Sequence, residues 1–256
     1  MKRFTTALLV ALMMAMPSVA MAQTDTPTDE RNRETVADQS TDQPTDQRTD
    51  RARDLEKAKA AVLRSIDVRI AALDAALVRV EGAAHLTAAH QATLTADYRF
   101  HRDELASLRG EVEAAETLLE LAPLGKAVVE EHWIFALQIP KGRLTNAADV
   151  VAGVTVKAGR VSDELTQVLA RLESNGINVE KGWELLEDFN AEVADAQQLA
   201  APIPDIVLAI QVTQMPGAKS TLDSARADLR HAHGSLTEAR SIARELVQFI
   251  RSVVDF

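Results

Sequence analysis

Ten apolar positions near the end of the chain follow one another in strict steps of three and four. They are Leu222, Ala225, Leu229, Ala232, Leu236, Ala239, Ala243, Leu246, Ile250 and Val253. Steps that alternate in this way average 3.5 residues, close to one helical turn, so all ten side chains fall on one face of a helix. A strand would scatter the same positions over both of its faces. Three further series keep the same phase. One runs Leu63, Ile66, Ile70, Leu73, Leu77, Val80, and another runs Leu94, Tyr98, His101, Leu105, Leu108, Val112, Ala115, Leu119. The third runs Leu144, Ala147, Val151, Val154, Ala158, Val161, Leu165, Val168, Leu172. A shorter helix carries Val179, Trp183, Leu186, Phe189, Val193 and Ala196 on one side. Such seams predict an all-α fold whose helices cross at a shallow, left-handed angle.

The breaks between seams carry helix punctuation. Thr87 reads as an N-cap after Gly82, and Asn175-Gly176 as a left-handed C-terminal cap, with Asn178 opening the next helix. Pro123 with Gly125, and Pro216 with Gly217, mark two more breaks. Four long helices of roughly 30–35 residues, each about 45–50 Å at the helical rise, follow from these limits. Short connections make neighbours antiparallel, so residues 51–256 are predicted to form an elongated antiparallel bundle of four to five long helices. Either one bundle or two tandem three-helix units sharing a long helix satisfies the pattern.

The N-terminus is a different material. Lys2 and Arg3 precede an apolar run from Leu8 to Met16, and Ala20-Met21-Ala22 has the small-x-small form of a cleavage site. This predicts a signal peptide over residues 1–22 and an exported protein, extracellular, cell-wall-associated or periplasmic. Residues 23–50 hold one large apolar residue, Val36, among Thr, Asp, Gln, Arg and Pro. Thr24-Asp25-Thr26-Pro27-Thr28-Asp29-Glu30-Arg31 recurs imperfectly as Thr41-Asp42-Gln43-Pro44-Thr45-Asp46-Gln47-Arg48. Burial there cannot offset an ordering entropy of about 1–2 kcal/mol per residue, so a disordered acidic stalk is predicted.

Charge and cysteine content exclude several classes. The formal charge is -10, and loss of Lys2 and Arg3 with the signal peptide takes it to -12, which argues against nucleic acid as a partner. The chain has no cysteine, hence no disulfide frame, thiolate metal site or lipidated cysteine. No segment after the signal peptide is long and apolar enough to span a membrane; Ile206 to Val212 is far too short.

A search for chemistry returns little. Metal sites inside bundles use Glu-x-x-His pairs, and none of the histidines 85, 90, 101, 132, 231 and 233 has Glu three residues before it. Asp228-x-x-His231 comes nearest and has no second copy, while His231 and His233 lie about 200° apart on a helix. His85 and His90 flank the first turn. His101, within a seam, reads as a core or boundary histidine using Asp97 one turn earlier. Neither a nucleophile elbow nor a phosphate-cradling glycine loop occurs. The expectation is therefore no catalytic, cofactor-binding or metal residue, and no cofactor.

Two segments leave the pattern, Trp133 to Pro140 and Ile203 to Val212, where bulky residues sit beside prolines. Kinked helix is favoured over a strand there, since a lone strand lacks hydrogen-bond partners. Breaks in a regular pattern are where functional sites gather, though a connector between helices explains them too. Trp133, Phe135, Ile139, Ile206 and Leu208 are the candidate interaction residues, with core packing the plainer role for Trp133 and Trp183.

His85-Leu86-Thr87-Ala88-Ala89-His90, together with Ile139-Pro140-Lys141 and Ala147-Ala148-Asp149, resembles a group of secreted helical proteins of high-GC bacteria. The resemblance covers roughly residues 55 to 254 and implies an exported bundle, without a mechanism or catalytic residue. Taken together, the sequence predicts a non-enzymatic extracytoplasmic spacer or interaction protein with an unidentified protein or envelope partner, and it leaves room for self-association. The alternatives are a carrier of an apolar ligand inside the bundle, or a membrane-active helical protein.

Overall fold

The computed structural model describes residues 44–254 apart from Glu131 and Pro216. The predicted signal peptide and residues 23–43 of the predicted stalk lie outside the described residues. Residues Thr49–Phe256 form one compact unit. Among the described residues every regular element is helical, as the seams require.

Helix α1 spans Pro44–Glu81, α2 Ala88–Ala114 and α3 Leu118–Glu130. A five-residue π turn, Ile134–Gln138, leads into α4, Ile139–Ser174. Then come α5, Glu180–Ala200, the short α6, Ile203–Leu208, a 3-10 turn over Val212–Gln214, and α7, Ala218–Val254. The long helices α1, α4 and α7 have 38, 36 and 37 residues.

The first helix begins earlier than the composition suggests. Residues 44–50, assigned to the stalk by sequence, are helical. Pro44 takes the first position, where its missing N–H costs nothing. Gln47 and Arg48 add good helix formers, and a helix already nucleated extends cheaply. Thr49 to Asp54 are exposed.

Helices α1 and α2 are antiparallel, as their cross-links show. Lys59 Nζ donates to the Glu113 carbonyl at 3.0 Å, Arg109 meets Asp67 at 3.2 Å, and Arg102 meets Asp74 at 3.7 Å. At the hairpin end, Gln91 Nε2 donates to the Val80 carbonyl at 3.1 Å. Each step up one helix is a step down the other. These exposed pairs set register and contribute little energy. The apolar seams between them form one core, in which Ile66, Leu73, Leu94, Leu105 and Val112 are fully buried and Leu121, Val128, Ile134 and Ile139 join from α3, the π turn and the start of α4.

The second series departs from expectation at its end. Leu119 is 85 % exposed. The break falls at residues 115–117, and α3 runs through Pro123 and Gly125, where a break was predicted. The cause is local. The Thr117 hydroxyl accepts from the Glu120 N–H at 3.2 Å, and the Glu120 carboxylate accepts from the Glu116 N–H at 2.8 Å. Thr117-x-x-Glu120 is thus a reciprocal cap that starts a new helix six residues before the proline.

Along the rest of the chain α5 packs on α7 through their whole facing lengths, and α4 packs on both. Lys181 with Glu245 at 3.3 Å and Ser235 with Asp195 at 2.6 Å show that α5 and α7 are antiparallel. Eight of the ten α7 seam positions are buried, with Ile250 and Val253 half-buried near the C-terminus. The predicted cap at Asn175-Gly176 forms: Gly176 has φ 80°, and the Ile177 N–H returns to the Leu172 carbonyl at 3.1 Å. Thr87 caps α2 as predicted, accepting from the His90 N–H at 3.2 Å. The arrangement is a three-helix layer of α1, α2 and α3 and a second of α4, α5 and α7, joined where α4 begins.

Candidate functional site

The joint between the two layers is where the backbone departs from ordinary helix. Trp133 adopts φ 33° and ψ 38°, the one left-handed non-glycine residue among the described residues. That conformation costs an L-residue roughly 1–2 kcal/mol and persists only where its surroundings fix it. Here the flanking residues do so, with His132 4 % and Ile134 1 % exposed. From Trp133 the chain enters the π turn. The Trp133 carbonyl accepts from the N–H groups of Leu137 at 2.8 Å and Gln138 at 3.3 Å. The wide turn buries Ile134, Leu137, Gln138 and Ile139 and leaves Phe135 and Ala136 in solvent. The predicted helical kink is therefore observed, in the form of a π turn.

Beside this turn lies an open cleft of about 1290 Å³. Helix α2 supplies one wall with Asp97, Phe100, His101 and Glu104, and Val129, Glu130 and Trp133 form the next. Gln138 and Lys141 lie deeper, and Leu208, Ile210, Val212 and Met215 close the far side. Phe100 is 58 % exposed and Val129 52 %.

The inner wall of the cleft is polar and buried. Lys141, 4 % exposed, donates to Asp97 Oδ2 at 3.0 Å and to the Ile210 carbonyl at 3.3 Å. Its charge is thus neutralised within the wall, as burial requires. His101 Nε2 lies 2.7 Å from the Gln138 amide and 4.0 Å from Asp97. On the other edge of the ring, Nδ1 faces Glu104 Oε2 at 3.6 Å. Glu104 Oε2 in turn lies 3.9 Å from His132 Nδ1. The two imidazoles meet edge to face, with centroids 5.8 Å apart. Burial pushes the His101 imidazole below the usual histidine pKa, against the opposing pull of Asp97 and Glu104.

A second polar contact ties the layers together a short distance away. Asp149 of α4 is buried, and its Oδ2 accepts from the Thr87 N–H at 2.8 Å and lies 2.9 Å from His90 Nδ1. Thr87 and His90 from the first turn thus meet Asp149 in space, bringing together two of the short motifs noted in the sequence. A carboxylate at the start of α2 also suits the positive end of the helix dipole.

The five candidate interaction residues separate. Trp133 and Leu208 line the cleft. Phe135 is 52 % exposed outside it, with the Arg69 guanidinium 5.8 Å from its ring centre. Ile139 is buried in the first core, and Ile206, 47 % exposed, borders a separate depression with Ala209 and Gln214. Trp183 is half-buried beside Ile177 and Glu187. Sequence reasoning placed His101 near Asp97 but did not bring Glu104 or His132 to it. The usable signal was His101-x-x-Glu104, the reverse of the Glu-x-x-His order sought, which also puts both side chains on one helix face. His132 carries no comparable signal, because only the left-handed turn after it delivers it to α2. No family model, curated protein or solved structure matches the chain.

Proposed function

We propose that this chain is an exported, non-enzymatic helical interaction module that takes its partner in the cleft beside Trp133. The observation that carries this reading is the left-handed backbone at Trp133 next to an open cleft with exposed Phe100 and Val129 on its rim. Backbone strain of this kind gathers where a surface is shaped for recognition. Large apolar side chains left in water at such a place mark contact sites.

The charge of the cleft narrows the partner. Asp97, Glu104 and Glu130 border it, and Lys141 is already paired with Asp97. A segment of an envelope protein offering apolar side chains and a basic group is complementary to that lining. A carrier of an enclosed apolar ligand fits less well, since this cleft opens to water and its floor is polar.

The test places a photo-reactive residue at Phe100 in the producing cell, with Val156, 60 % exposed on α4, as the control. A discrete cross-linked product from position 100 and none from 156 is expected. Equal labelling at both positions, or none at either, removes the cleft as the interface. Export is tested separately: mature protein should begin at Gln23, and intact Met1 on cytoplasmic protein would remove that part of the reading.

A further inference from the structure

The interaction reading uses only Glu104 from a group beside the cleft where three potential ligand atoms converge. His101, Glu104 and His132 each offer one donor atom, and these atoms all lie within 4.8 Å of one another. His101 and Glu104 are one turn apart on α2, so their side chains share a face. His132 is presented from the other side by the strained turn at Trp133.

Packing accounts for the two rings but not for the polar edge of His101. Edge-to-face imidazoles are a stable contact in their own right. Yet His101 Nδ1 is buried without a hydrogen-bond partner, and so is Gln138 Oε1. One change gives the Gln138 oxygen a donor and leaves His101 Nδ1 as an open lone pair. Turning the Gln138 amide end for end sets Oε1 to accept from His101 Nε2–H, which fixes the tautomer with the Nδ1 lone pair directed at Glu104. An imidazole whose far nitrogen is held by an amide oxygen is the usual supporting arrangement of a metal ligand.

We infer that His101, Glu104 and His132 bind one first-row divalent cation of the zinc class, through two imidazoles and one carboxylate, with water from the cleft completing the shell. Two nitrogens and one oxygen, with no thiolate, are a donor set that suits zinc. Bonds of about 2.0–2.1 Å in tetrahedral array place donor atoms about 3.3 Å apart. The separations of 3.6 Å and 3.9 Å to Glu104 Oε2 are therefore slightly open, and small side-chain rotations close them. Glu104 is half-exposed and free to make that adjustment. Lys141 does not oppose the ion, because it sits with Asp97 on the Nε2 edge of His101, opposite the proposed site.

The site stands or falls independently of the partner proposed above, since it is measured on the isolated protein. The full chain, stripped with a chelator, is titrated with Zn²⁺ against a chromophoric competitor, and with Co²⁺ to read coordination from its visible spectrum. One equivalent is expected, with Kd below about 1 µM and a four-coordinate cobalt spectrum. Glu104→Gln, chosen because a half-exposed side chain can change without unfolding the helix, should weaken binding by more than about 100-fold. His101→Gln should do the same and abolish the cobalt bands, while His231→Ala with His233→Ala should leave both readouts unchanged. Metal should raise the melting temperature of the parent chain and not that of Glu104→Gln. Absence of one equivalent tighter than about 10 µM, or binding by Glu104→Gln equal to the parent, overturns the assignment.

Discussion

Tyr98 is the single tyrosine of the chain, and it is 1 % exposed. Its hydroxyl donates to the Gln138 carbonyl at 3.1 Å, which anchors the π turn to α2. Gly142 packs on the same ring, and a side chain there would overlap the hydroxyl, so the glycine is what lets α4 approach. Burial, reinforced by Asp97, pushes the phenol up to about 12 from its ordinary value of 10.0. The unfolded chain therefore loses this proton first. Stability contributed by Tyr98 is fully present below pH 10 and is lost as pH rises toward 12. The loss is about 2–3 kcal/mol, from 1.36 kcal/mol per pKa unit. Melting temperature followed between pH 9 and 12 should fall more steeply for the parent than for Tyr98→Phe. Absorbance of the phenolate, which has one source in this protein, gives the same pKa directly. Equal slopes for the two proteins would mean that the ring is wet.

At the scale of elements, the turn at Trp133 makes a prediction opposite to ordinary helix behaviour. Inside a helix, alanine is more stable than glycine by about 1 kcal/mol. At φ 33° the order should invert, because glycine alone enters the left-handed region freely. Trp133→Gly should unfold at higher denaturant than Trp133→Ala by about 1 kcal/mol, both having lost the same indole. If alanine were the more stable, the left-handed turn would not be populated in solution. This turn also marks the limit of what the sequence discloses. The seams of α1, α4 and α7 are readable because helix phase is a local property of the chain, and Thr87 and Gly176 are readable because caps are local too. Pro123 misled because proline is a statistical stop, whereas the cap at Thr117 and Glu120 starts α3 upstream of it. A left-handed tryptophan has no local cause. It is imposed by the burial of His132 and Ile134 against helices distant in sequence, and the cleft and the His101, Glu104 and His132 cluster inherit that dependence.

For the whole molecule, the described residues divide into two helical layers joined where α4 begins. Thr49 to Asp54 are exposed. A chain beginning at Thr49 should therefore melt within about 2 °C of the full-length protein. A larger fall would show that upstream residues pack on the bundle. The seam in α7 is built largely of alanine and leucine, which lets α5 approach closely along its whole length and explains why these two helices make the most extensive packing among the described residues.

The contact of Asp149 with Thr87 and His90 bears on the order in which this molecule assembles. The hairpin of α1 and α2 is joined by few residues and can close early, since short loops cost little entropy. The N-terminus of α2, however, receives one of its acceptors from a residue 62 positions downstream. Until α4 has docked, the Thr87 N–H has no carboxylate, and the polar ties of the hairpin at that end are Gln91 on the Val80 and Glu81 carbonyls and Arg99 on Glu81. A contact that waits on a distant helix is expected to form after the rate-limiting step and to hold the finished structure shut. Asp149→Ala should thus leave the refolding rate within about twofold of the parent and raise the unfolding rate by about tenfold or more, as loss of roughly 1.5–3 kcal/mol demands. Stopped-flow measurements in both directions separate the two limbs, and a slowed refolding limb with unchanged unfolding would place the docking of α4 before the barrier.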